Sequence, residues 1–83
     1  MLLIDEFSSP IGRIAIAARA GRLCALEFGR ARLGRHLAAR FADLPRRRAR
    51  DPFGLRTRIL RYLAGDLAVL DRIPVETGGT LFQ

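Results

Sequence analysis

Few side chains in this 83-residue chain are capable of covalent or metal chemistry: there is one cysteine, Cys24, and one histidine, His36. A thiol attacks as its thiolate, so Cys24 would need a base or a positive field beside it to act as a nucleophile. Cys24 lies in an alternating stretch where it shares a face with Leu26 and Phe28, which predicts a buried, structural thiol. His36 falls in the middle of a separate helical pattern with Arg35 and Arg40 as neighbours, which predicts an exposed or stripe-edge position. One Cys and one His do not complete a tetrahedral zinc site, so no zinc, and no other metal or cofactor, is expected.

The carboxylates suggest a second chemistry. Asp5, Glu6 and Glu27 fall on adjacent predicted strands, and a magnesium-dependent nuclease needs carboxylates converging on divalent ions. Adjacent residues of a strand point to opposite faces, however, so Asp5 and Glu6 leave at most a pair on either face. Ordinary surface charge is the expectation, and no residue is assigned a catalytic role.

The third chemistry is electrostatic. All fifteen basic residues are Arg, the net charge is +7 and the pI is about 11.6. The run Arg46-Arg47-Arg48-Ala49-Arg50 concentrates this charge, and Arg pairs bidentately with phosphate without losing its proton. Arg46, Arg47, Arg48 and Arg50 are therefore the candidate phosphate contacts. The run carries no interleaved aromatic residues for stacking bases and no recognition helix, so binding would be weak, without sequence specificity and steeply salt-dependent. A solvated loop is the alternative reading, and exclusive use of Arg also follows from a coding bias that replaces Lys everywhere.

These residues must be positioned by a single small domain. A chain of this length buries only somewhat more than ~60% of its unfolded surface, and the composition, 49% hydrophobic with five Phe, one Tyr and no Trp, supplies a modest core. One cysteine forms no internal disulfide and no charged-then-apolar leader opens the chain, so a reducing cytoplasm is expected. Its apolar runs are far shorter than the ~18 residues of a membrane span, so no membrane partner is expected.

Met1 to Phe7 reads as a strand, followed by the turn cluster Ser8, Ser9, Pro10 and Gly12. Gly12 to Arg19 alternates, with Ile14, Ile16 and Ala18 on one face and Arg13, Ala15, Ala17 and Arg19 on the other, as in a half-buried antiparallel strand. Ala20-Gly21 makes a tight connection into a third strand, Leu23 to Phe28. Arg30 to Leu44 spaces Leu33, Leu37, Phe41 and Leu44 as one apolar helical stripe, ended by Pro45. Asp51 and Pro52 start a second helix that carries Phe53, Ile59, Leu60 and Leu63 and stops at Gly65. Val69 to Val75 reads as a short final strand, held at an edge or ended by Pro74. The expected fold is α+β: a three-stranded antiparallel meander with one face covered by two helices, plus a short extra strand.

The last residues point outward. Thr80 and Gln83 have the spacing of a capping box, with Gly78 and Gly79 permitting a sharp turn before it. Leu81 and Phe82 would be the first apolar residues of the helix so announced. The expectation is a boundary near residue 76, with 77–83 linking to a further domain against which Thr80, Leu81 and Phe82 pack.

Four segments carry a family resemblance. Ser9-Pro10-Ile11-Gly12, the hairpin from Gly21-Arg22-Leu23-Cys24 to Ala25-Leu26-Glu27-Phe28, Leu60-Arg61-Tyr62-Leu63-Ala64-Gly65 and Gly79-Thr80-Leu81-Phe82-Gln83 resemble, in order and spacing, the amino-terminal half of the O-6-alkylguanine-DNA alkyltransferases. These are also called methylated-DNA protein-cysteine methyltransferases. The resemblance implies a ribonuclease H-like amino-terminal domain without nuclease chemistry. In that family a second domain holds a winged helix-turn-helix for DNA, flips the damaged guanine and transfers the alkyl group to the Cys of a Pro-Cys-His-Arg segment; flipping is needed because the stacked base is out of reach. Residues 1–83 contain no such segment. The resemblance therefore implies a non-catalytic supporting half, with DNA reached through a catalytic half supplied in cis or in trans, and an apolar surface that docks onto it.

Overall fold

The computed structural model describes residues 1–75, so Thr80, Leu81, Phe82 and the capping box lie outside the described residues. β1 (Leu2–Ser9), β2 (Gly12–Arg19) and β3 (Arg22–Glu27) form the expected antiparallel meander. α1 (Arg30–Arg40) follows, then a fourth strand, β4 (Arg46–Arg48), a single 3-10 turn at Pro52–Gly54, α2 (Leu55–Leu63) and a 3-10 segment at Leu67–Arg72. The sheet order is β3-β2-β1-β4, and β4 runs parallel to β1.

Turn chemistry sets the register of the meander. Ala20 and Gly21 both take positive φ, 52° and 78°, as the two central positions of a primed type I hairpin turn require, and Arg19 pairs directly with Arg22. At the other hairpin the Ser9 hydroxyl donates to Gly12 O at 2.6 Å and accepts from Ile11 N at 3.2 Å, closing the turn from within.

Both faces of the sheet are covered, where the sequence suggested one. Ile14, Ile16 and Ala18 of β2 pack with Phe7, Leu23, Ile73 and, from α2, Leu55 and Ile59. The intervening Ala15 and Ala17 pack with Leu2, Cys24 and Ala25 and, from α1, Leu33 and Leu37. β2 is thus a central strand buried on both sides, and the small alanines allow α1 to approach. The result is a three-layer α+β arrangement, α1, sheet, α2.

Four local expectations change. The chain leaves the helix at Phe41, whose N–H still reaches Leu37 O at 2.7 Å, four residues earlier than the apolar stripe suggested. Phe41 and Leu44 nonetheless pack against the α1 side of the core from the following turn. This early exit lets Pro45 O accept from Leu2 N at 2.8 Å and delivers the arginine run to the sheet.

The second helix begins later than its Asp-Pro start signal, because Phe53 and Gly54 take left-handed conformations and the helix proper starts at Leu55. Its end matches expectation. Gly65 has φ 110°, with Gly65 N bonded to Tyr62 O and Asp66 N to Arg61 O, both at 3.0 Å, which is the two-bond Schellman arrangement.

Val69 to Val75 is not a strand. It divides between the 3-10 segment and one parallel bridge, Val75 to Leu23, beside which Leu23 N donates to Pro74 O at 2.8 Å. Pro74 has no N–H with which to extend the ladder.

Finally, the register of β2 against β3 shifts between Ala17 and Ala18, which pair with Ala25 and Leu23 respectively. Cys24 is the extra residue of this bulge, so it faces α1 with Ala25, whereas Leu26 packs on the α2 side and Phe28 is exposed. The shared face of Cys24, Leu26 and Phe28 is thereby corrected, while the burial of Cys24 stands.

Candidate functional site

The arginine run is an edge strand rather than a loop. Leu2, Leu3 and Ile4 pair with Arg46, Arg47 and Arg48, and Ala49 N donates to Ile4 O at 2.9 Å to close the ladder. Paired residues share a face, so Arg46 and Arg48 lie on the α1 side with Leu2 and Ile4, and Arg47 lies on the other. All three are exposed, as is Arg50. Arginine is not among the β-branched and aromatic residues that favour strands, and this strand is bracketed by the bonds that Pro45 O and Ala49 N make to β1. Its charge also protects the edge from pairing with other chains.

Between β4 and α1 runs an open groove of about 160 Å³. Its floor is Ile4, Leu33, Gly34 and Leu37, and its rims are Arg30 from the first turn of α1 and Arg46 to Arg48 from the strand. Arg30 and Gly34 had no motif to announce them, since only the parallel pairing of β4 brings them opposite the run. A second, more polar recess, lined by Asp5, Glu6, Arg50 and Arg56 among others, meets the first at Ile4 and Arg48.

The carboxylates that suggested a nuclease are committed to structure. Asp5 is 8% exposed; its Oδ2 accepts from Asp51 N at 3.0 Å and its Oδ1 from Glu6 N at 2.8 Å. Arg56 Nε lies 3.1 Å from Asp5 Oδ2, a charge contact without the alignment of a hydrogen bond. The same guanidinium donates from Nη2 to Glu6 O at 3.0 Å and stacks 5.1 Å from the Phe7 ring centroid. Glu6 pairs with Arg13 at 3.4 Å. Asp51 in turn accepts from Thr57 N at 3.0 Å and Thr57 Oγ1 at 2.7 Å. Partial burial pushes the Asp51 carboxyl up, but the Thr57 and Arg56 hydrogen bonds and the Arg56 charge outweigh it and hold it below its ordinary value. This cap acts on the start of α2 from four residues before its first residue, which is why the Asp-Pro signal placed the helix early.

His36 and Cys24 are occupied separately. His36 Nδ1 sits 3.5 Å from Glu27 Oε1 at the border of α1 and β3, beside Arg32, Arg35 and Arg40. Cys24 is buried, with its Sγ 3.8 Å from Arg22 O. Among the described residues no group of three or more His, Cys, Asp or Glu side chains is placed to hold a metal ion. Nor is any helix among them long and apolar enough to cross a membrane.

No protein-family model, no curated protein and no solved structure matches this chain.

Proposed function

We propose that this chain is a non-catalytic supporting domain of the ribonuclease H-like kind, contributing to DNA repair by buttressing a catalytic half of the O-6-alkylguanine-DNA alkyltransferase type. The observation that carries the reading is the sheet: an antiparallel meander whose first strand is flanked by a parallel fourth, with one helix on each face. Three of the four segments that carry the resemblance fall where they set this architecture. Ser9 to Gly12 is the first hairpin turn, Gly21 to Phe28 runs from the second turn through β3, and Leu60 to Gly65 closes α2.

The reactive side chains fit a supporting role. The thiol is buried, the central carboxylate is held by Arg56, and His36 is held by Glu27. Alkyl transfer, helix-turn-helix contacts and base flipping would then belong to the partner half, joined in cis or in trans and working in a reducing cytoplasm. Thr80, Leu81 and Phe82 are the proposed contacts toward it.

The test has two parts. Coding DNA following the Gln83 codon is read for a helix-turn-helix followed by Pro-Cys-His-Arg, and the chain is melted with and without the half so encoded. A higher melting temperature at saturating partner supports docking, because a ligand that binds only the folded state stabilises it by mass action. Unrelated downstream sequence removes the cis arrangement and favours a free-standing module, and no shift at saturating partner removes the docking. A free-standing nucleic-acid-binding module is the second reading, favoured by the placement of Arg46 to Arg48 on one exposed edge.

A further inference from the structure

We propose that the groove between α1 and β4 is a binding track for the phosphate backbone of single-stranded nucleic acid, gripped by Arg30, Arg46 and Arg48. The site is independent of the supporting-domain reading and stands or falls separately.

The groove is basic on both rims and contains no carboxylate. Among the described residues none of these three arginines has an ion-pair partner, so their charge is available to an incoming anion. Arg46 and Arg48 are two residues apart on one face of an extended strand, about 6.6 Å at a rise of ~3.3 Å per residue. That separation suits successive phosphates of an extended strand. Edge protection accounts for charge on β4 alone. It does not account for Arg30 on the facing helix, nor for an open recess between the two rims.

The floor decides between single strand and duplex. Ile4 is partly exposed and offers apolar contact above the buried Leu33 and Leu37, and Gly34 leaves the space open: a Cβ built there meets nothing within 4 Å. A splayed sugar or base edge can rest on such a floor, while a duplex can touch only the rims with its phosphates. No aromatic residue lines the groove, so binding is without base preference.

The experiment measures anisotropy of a fluorescein-labelled thymidine oligonucleotide, and of a duplex of equal length, with the full chain across a salt series. Three contacts at a slope of about −0.7 per phosphate give a total slope near −2 for the single strand. Arg30→Gln/Arg46→Gln/Arg48→Gln should lower affinity on the order of a hundredfold at ~0.1 M salt and flatten the slope by about 2. A control of equal charge loss, Arg22→Gln/Arg35→Gln/Arg61→Gln, alters exposed arginines outside the groove and should cost far less affinity. Gly34→Met supplies the arm that misfolding cannot confound. It places a good helix former at a helical glycine, so the melting temperature should rise while binding weakens as the groove fills. Equal losses in the two triple variants, a preference for duplex, salt-insensitive binding, or wild-type affinity in Gly34→Met would each overturn the proposal.

Discussion

Arg56 reaches from α2 to within 3.1 Å of Asp5 Oδ2 on the central part of β1, joining helix and sheet through a side chain 22% exposed and a carboxylate 8% exposed. The pair sits under the loop that follows the arginine strand, because the same Asp5 oxygen accepts from Asp51 N. Removing one partner of such a pair leaves the other charge buried. Arg56→Met should therefore destabilise the fold by about 3 kcal/mol, measured by urea unfolding. Asp5→Asn keeps an acceptor for Asp51 N–H and should be milder, and the double variant should be less destabilised than the sum of the two. Strict additivity would show that the contact contributes nothing.

Asp51 gives the acid limb of the stability profile. Its folded-state pKa is lowered, so its contribution is fully present above the unfolded value of about 3.9 and fades as pH falls through the folded one. The stability difference between the wild type and Asp51→Asn should be constant above about pH 5 and shrink below about pH 4. A difference that grows on acidification would reverse the sign of the effect.

The two-sided core is tested by truncation on each face. Leu37 on α1 is 1% exposed and Ile59 on α2 is 2% exposed, so Leu37→Ala and Ile59→Ala should each cost about 2–4 kcal/mol. A sheet covered on one face only would leave one of these substitutions nearly neutral.

What the sequence disclosed, and what it hid, follows the range of the interactions. The β2 alternation, the Ala20-Gly21 connection and the Gly65 stop are local signals, and each appears where expected. Ala15 and Ala17 misled because a small apolar residue reads as indifferent to burial, whereas here it is what admits α1. β4 was hidden more deeply. Three consecutive arginines carry neither the apolar alternation nor the β-branched or aromatic residues that signal a strand, and only bonds with Leu2 and Ile4, more than forty residues away, make them one. The bulge at Cys24 likewise depends on the register of a neighbouring strand. The arginine run was legible as a phosphate candidate, but its partners Arg30 and Gly34 were not.

Ala20 is a residue in a conformation it does not favour, with φ 52° in the hairpin turn. Asn tolerates this region better, and Asn-Gly suits the primed type I turn. Ala20→Asn should therefore stabilise the chain by about 0.5–1 kcal/mol, seen as a rise of several degrees in melting temperature. A fall would place the strain elsewhere.

The central claim is that the residues described here form a scaffold without transfer chemistry of its own. The most direct measurement is the intact mass of the purified chain after incubation with duplex DNA containing O-6-methylguanine, with a complete alkyltransferase as the positive control in a parallel sample. The account predicts an unchanged mass for this chain while the control is methylated; a gain of one methyl group, mapped to Cys24, would contradict it.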